Sequence, residues 1–261
     1  MGHAMDEHYR RIELNISMDE LLRLPRNAAY KYEYYGGRAV LTPRPKLFSC
    51  VRDLSPVVSE PLEPVEVRPL PRGDMPGLAD LFHWAMLRTQ PFESLDKDAA
   101  RKAADGCFNK TLSGEDGPLI EAACFQAFSD RSSHEKDVPV GGILVTLVPK
   151  EILTVPYAGM WKSPPPEDAV ERKRGVPHLT WVFVNPWEGR RGIASALLAK
   201  SVEALREMGF TELASTFLLD NGPSMLWHWK HDFKLLPGWS AMMLEGRKKF
   251  SRDAESAERS A

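Results

Sequence analysis

From Val65 onward the spacing of apolar residues switches repeatedly between a period near two and a period near 3.6, the signature of strands alternating with helices. Residues 65–70 alternate as a strand. Residues 76–88 put Leu78, Leu81, Phe82, Ala85 and Met86 on one helical face, and 96–112 read as a second, more polar helix. Two strands follow, over 122–129 and 140–148. Their charged connection, 131–137, is too short for a crossover, so the pair is antiparallel. Residues 151–177 hold Pro164, Pro165, Pro166 and the charge cluster 167–174, and read as a long loop. The remaining pattern predicts a strand over 178–184, a helix over 192–208, a strand over 212–219, a short helix over 224–231 and a strand over 239–244. The order implies an α/β or α+β domain.

The N-terminal residues follow a different pattern. Ser17 and Glu20 have the spacing of a capping box ahead of a short apolar helix, and residues 30–42 read as strand, Gly36-Gly37 turn, strand. The chain therefore divides into a helix-hairpin arm (1–54), a proline-punctuated linker (55–64), a main domain (65–246) and a charged tail (247–261) in which almost no apolar residue invites packing. The arm aromatics Tyr30, Tyr32, Tyr34 and Tyr35 pack either within the chain or at a homodimer contact, with a slight preference for the former.

With 34 Lys plus Arg against 36 Asp plus Glu, the formal net charge of -2 supplies no global field for nucleic acid, so any anion site must be local. Three cysteines, Cys50, Cys107 and Cys124, are odd in number and lack C-x-x-C spacing, which argues against a disulfide framework or a zinc ribbon and points to a reduced, cytoplasmic protein without a metal. No apolar run approaches the roughly 18–20 residues of a spanning helix, and no signal-peptide core is visible near the start.

The densest chemistry lies between 179 and 198. An apolar strand is stopped by Pro186, passes a turn rich in Gly and Arg, and enters a helix that turns Ile193, Leu197, Val202 and Leu205 inward. A helix start leaves amide donors without internal acceptors, and these together with the helix dipole favour an anion. Gly192 and Ala194 keep side-chain bulk away from those donors, and Arg190 and Arg191 add charge at the rim. The Gly-Lys-Ser/Thr of a Walker loop is absent, and the spacing Gly189-x-x-Gly192-x-Ala194 is not that of a dinucleotide fingerprint.

Val184-Asn-Pro186 followed by Gly192-Ile-Ala194-Ser-Ala-Leu-Leu resembles the acetyl-CoA-binding motif of the GNAT N-acetyltransferases, with Gly189 where the family usually carries Arg or Gln. The segment from Asn221 through Ser224 to Phe233 is similar to a second family element. The resemblance implies a mixed central sheet with two splayed parallel strands, flanked by helices, and acetyl-CoA as acyl donor to a primary amine of unread identity. It also implies that the backbone of Val182, Phe183 and Val184 and the residues Asn221 and Ser224 meet the pantetheine arm. Arg190, Arg191, Gly192, Ile193, Ala194 and Ser195 would meet the diphosphate. His228 stands where the family commonly has a Tyr that acts as general acid, and Thr216 stands where some relatives have a Glu base. His178, Asp220 or water are the remaining candidates for that base. A non-catalytic acyl-CoA-binding module is the alternative reading. Bland roles accompany these: His231 as a solvated helix end and Cys124 as a small core residue. The acceptor groove is expected from the segments 88–96 and 151–177, with Gln90, Phe92 and Trp161 as its candidate residues.

Overall fold

The computed structural model describes residues 12–24, 30–43, 47–59, 61, 64–87, 89, 92–129, 138–153, 161–218 and 221–236. Gln90, Asp220, the charged turn at 131–137, the strand expected over 239–244 and the tail lie outside the described residues.

Two sheets are present. The smaller is made by β1 (Ile12–Leu14), β2 (Tyr30–Tyr35) and β3 (Arg38–Pro43) in the order β1-β3-β2, all antiparallel. Gly36 and Gly37 both take positive φ (59° and 78°), the backbone that a two-residue hairpin turn requires. Helix α1 (Met18–Arg23) starts with the expected capping box: the Ser17 hydroxyl accepts from the Glu20 amide while the Glu20 carboxylate accepts from the Ser17 amide. Leu21 is its one buried residue and packs with Ala39 and Leu41.

The larger sheet contains β4 (Leu47–Asp53), β5 (Val65–Pro69), β6 (Phe125–Ser129), β7 (Gly141–Val148), β8 (Val176–Val184), β9 (Glu212–Leu218) and β10 (Lys234–Leu235), in the order β10-β4-β9-β8-β7-β6-β5. Every pairing is antiparallel except β8 with β9. Every residue of β7 is buried, so it reads as one continuous apolar run instead of an alternation, as a strand covered on both faces must. Helices α2 (Ala79–Met86) and α3 (Lys97–Ser113) cover one face, where Phe82, Phe108, Leu144 and Phe183 meet; the Phe82 and Phe183 rings stand edge to face at 5.2 Å. Helix α4 (Ile193–Glu207) covers the other with Leu197, Leu198, Val202 and Leu205 against Ile143, Val145 and Leu147. Trp227 of α5 (Gly222–Lys230) packs on that same face.

The division of the chain differs from expectation in one respect. An arm ending at residue 54 would leave the main sheet to begin at Val65, whereas β4 is a full strand of that sheet, paired with β9 from Leu47↔Leu218 to Asp53↔Glu212. No strand was expected over 47–53, because the β9 residues that complete it lie more than 150 positions away along the chain. Arg52 of β4 is buried (2% exposed). Its guanidinium donates to the carbonyls of Asp53 (2.9 Å), Ser55 (2.8 Å) and His231 (3.0 Å), the last being the C-terminal cap of α5. A cation at the negative end of a helix, donating to the buried His231 carbonyl there, ties the N-terminal strand to α5. Replacing Arg52 with Met should therefore lower the unfolding free energy in urea by about 1–3 kcal/mol, because the buried His231 carbonyl loses its donor.

Candidate functional site

Strand β8 leads directly into the turn that the sequence singled out. Asn185 accepts from the Trp187 amide through its side chain, and Pro186–Glu188 form a single 3-10 turn. Arg190 and Gly192 then both adopt left-handed backbone (φ 64° and 85°) before α4 begins at Ile193. Left-handed residues interleaved in a turn bring successive amides to one side. The Ala196 amide closes on the Gly192 carbonyl, while the amides of Gly192, Ile193, Ala194 and Ser195 meet no backbone carbonyl among the described residues. Gly192 is required twice over: its φ disfavours any L side chain, and a Cβ there would stand 2.9 Å from the Cα of Pro61 in the linker.

Arg190 is exposed. Arg191 is mostly covered and pairs with the Glu188 carboxylate, so only Arg190 stands at the rim as a surface charge. The Ser195 side chain turns inward to hydrogen-bond His231 Nε2 at 2.8 Å. His231 is consequently not a solvated helix end: it is 3% exposed and packs on Trp227 with ring centroids 4.8 Å apart.

Beside this turn the sheet opens. Strands β8 and β9 are paired only at His178↔Ala214 and Leu179↔Ser215. The register of β8 on β7 steps from Leu179↔Val145 to Trp181↔Leu144, which leaves Thr180 as an extra residue, a bulge that bends β8 away from β9. The Asn185 amide donates to Val140 of β7's approach, so by alternation Phe183 also directs its backbone at β7, whereas Val182 and Val184 direct theirs at the opening. The Phe183 ring is buried in the core under α2.

The opening is a cleft of about 100 Å³. Its α2 side is lined by Met86, Thr89, Phe92 and Trp181, its β9 wall by Ser215 and Thr216, and its α5 side by Asn221, Ser224 and His228. Asn221 also caps α5, accepting from the Ser224 amide at 3.1 Å. Of the groove residues expected from sequence, Phe92 is here. Trp161 is not: its Nε1 donates to the Leu147 carbonyl (2.9 Å) at the opposite end of β7.

Two histidines stand behind the β9 wall, one on each face. His228 directs Nδ1 at the Ser224 carbonyl (2.7 Å), an acceptor, so Nδ1 carries the proton and Nε2 accepts from the Ser215 hydroxyl (2.9 Å), for which the Leu179 carbonyl is the more distant acceptor (3.2 Å). His178 directs Nδ1 at Thr180 (3.1 Å) and Nε2 at Thr216 (3.0 Å). Burial pushes the His178 pKa down to about 3 and that of His228 down to about 4, the latter partly opposed by the Ser224 carbonyl. Both rings are neutral at pH 7. Burial pushes the Cys124 thiol up to about 12, in keeping with a core residue. Sequence reasoning missed Ser215, Thr180 and Trp181; the signal for the first was a pair of adjacent hydroxyls, Ser215-Thr216, inside an otherwise apolar strand. Among the described residues, no group of three His, Cys, Asp or Glu is placed to hold a metal ion, and no helix is long and apolar enough to cross a membrane.

Residues 84–233 match the model of the acetyltransferase (GNAT) family. Among solved structures, the PaiA N-acetyltransferase from Thermoplasma acidophilum in complex with coenzyme A is 12% identical, over 67% of this chain and 92% of that one, with a TM-score of 0.43. A GCN5-related N-acetyltransferase from Sphaerobacter thermophilus is 16% identical over 86% of this chain and 56% of that one (TM-score 0.46). Another from Ralstonia eutropha is 16% identical over 66% and 93% (TM-score 0.42). No curated protein shows significant sequence similarity to the chain.

The two histidines make stability depend on pH with a definite sign. Below the ordinary imidazole pKa of about 6.5 the unfolded chain takes up protons that the folded rings refuse, so stability present above that pH is lost as pH falls toward about 4. Urea midpoints measured at pH 7, 6 and 5 should fall progressively, each ring contributing up to about 1.4 kcal/mol per pH unit. A midpoint constant across that window would contradict the burial described.

Proposed function

Since the chain belongs to the acetyltransferase (GNAT) family, whose model spans more than half of it, we propose that it transfers an acetyl group from acetyl-CoA to a primary amine. The observation that carries this reading is the juxtaposition of two features: the turn whose amides at Gly192, Ile193, Ala194 and Ser195 meet no backbone carbonyl among the described residues, and the cleft opened by the Thr180 bulge just before it.

These features fit the donor. The four amides and the positive end of α4 suit a diphosphate, with Arg190 adding charge from the rim. The backbone of Val182 and Val184 and the α5 start, Asn221 and Ser224, suit an amide-bearing pantetheine arm. Phe183 serves this site by holding β8 against α2, and Arg191 by bracing the turn through Glu188.

Acetyl-CoA supplies an activated thioester carbon. In the transfer the amine nitrogen bonds that carbon, the carbon–sulfur bond breaks, and one amine proton ends on sulfur, so no net proton is consumed. The amine must be uncharged to attack. His228, neutral and with Nδ1 committed to Ser224, accepts the Ser215 hydroxyl proton at Nε2 and so fixes that side chain in the cleft wall; because the Ser215 proton is committed to the ring, the proton that ends on sulfur is the one the amine gives up.

Ala194→Asp separates folding from binding. An acid in the first turn of α4 favours the helix by about 0.3–1 kcal/mol but places a negative charge among the amides. Thermal stability should be unchanged or higher, while acetyl-CoA affinity by titration calorimetry should fall at least about tenfold. Absence of acetyl-CoA binding to the folded wild-type chain would overturn the reading. Binding without thioester consumption across a broad amine panel would instead favour a non-catalytic acyl-CoA-binding module.

A further inference from the structure

The α2 side of the cleft carries a hydrogen-bond chain whose direction can be read from its far end. Thr146 donates its hydroxyl proton to the Asp116 carbonyl (3.0 Å), so toward Thr180 (2.8 Å) it can only accept. Thr180 therefore donates to Thr146, the nearer of its two acceptors, the His178 carbonyl lying at 3.3 Å, and accepts from His178 Nδ1 (3.1 Å). With its proton on Nδ1, His178 presents a lone pair at Nε2, which takes the Thr216 proton (3.0 Å). This assignment satisfies every member of the chain and is anchored by a backbone carbonyl about four groups away. Thr216, half-buried on the cleft wall, is left with its proton turned inward and its remaining acceptor capacity facing the cleft.

The walls around it carry a second message. Among the described residues lining the cleft there is no Asp, Glu, Lys or Arg. On the α2 side Thr216 faces Met86, Phe92 and Trp181. An ammonium brought against these lining residues would lose its hydration and find no carboxylate among them. An amine that is neutral at physiological pH loses little, and its N–H finds an acceptor. If the donor enters along the α4 and α5 face, as proposed above, the α2 face is the side left for the acceptor.

We propose that the acceptor is an amine uncharged at neutral pH and carried on an apolar stem, such as an arylamine, and that it donates its N–H to Thr216, with His178 as the positioning residue that keeps the Thr216 proton out of the way. The inference rests on the acetyl-transfer reading. The amine lone pair stays free for the thioester carbon because the contact to Thr216 uses an N–H.

The experiment uses the full chain with acetyl-CoA, p-toluidine as the neutral aryl probe and spermidine as the polycationic one, at pH 7.5. Acetyl-CoA affinity is measured separately by calorimetry, so loss of donor binding sinks the acetyl-transfer reading and is distinguishable from failure here. Expected is a kcat/KM for p-toluidine at least about tenfold above that for spermidine. Thr216→Val, which keeps the shape and removes the hydroxyl, should lower kcat/KM for p-toluidine about tenfold with acetyl-CoA affinity within about twofold of wild type. Thr216→Ser, which restores the donor to His178 and the acceptor to the cleft, should stay within about threefold of wild type, a rescue that a purely packing role for the threonine would not produce. With donor binding intact, a preference for spermidine, no turnover of p-toluidine, or a valine variant as active as wild type would overturn the proposal.

Discussion

The structure turns on how briefly β8 and β9 hold together. Two register pairs, His178↔Ala214 and Leu179↔Ser215, are all the parallel pairing in the larger sheet. Backbone groups buried without partners are costly, so strands part only where something compensates. Here the bulge at Thr180 bends β8 while β7 continues to satisfy its other edge, and β4 satisfies β9 over its whole length. An opening is thereby created in the middle of a sheet that is fully paired on both sides of it.

That placement explains why so many polar side chains near the cleft are buried yet satisfied. His178, His228, Thr146, Thr180 and Ser215 all lie below 9% exposure, and each has a hydrogen-bond partner. Such networks are stabilising only when complete, since a single missing partner in a low-dielectric interior costs more than the bond contributes. Completeness has a chemical consequence: it assigns the proton on each imidazole, and with it the direction in which each β9 hydroxyl points.

The comparison between pattern and structure is instructive at particular residues. The capping box at Ser17, the Gly36-Gly37 turn, the antiparallel pair β6 and β7, and the helix starting at Ile193 were all legible, because each depends on residues within a few positions of one another. The strand β4 was not legible, since its residues were read only as the end of an arm; its partners on β9 and the α5 cap that holds Arg52 lie far along the chain. His231 looked like a helix end bound for solvent; only the approach of Ser195 from α4 buries it.

The sequence by itself determined the local pieces: which segments are strands or helices, and that a turn with Gly192 at its end would leave amides exposed at a helix start. It determined these through short-range sterics and periodicity. The tertiary structure alone decided where β8 and β9 separate, which hydroxyls line the gap, and which nitrogen of His178 carries the proton. Those outcomes depend on groups contributed by elements distant in sequence, Asp116 and Thr146 for the His178 ring; the His228 proton is set locally by the Ser224 carbonyl one turn back, and packing adds only the Ser215 hydroxyl at its other nitrogen. No local pattern encodes the meeting of such groups, because it results from packing two helical layers against one sheet.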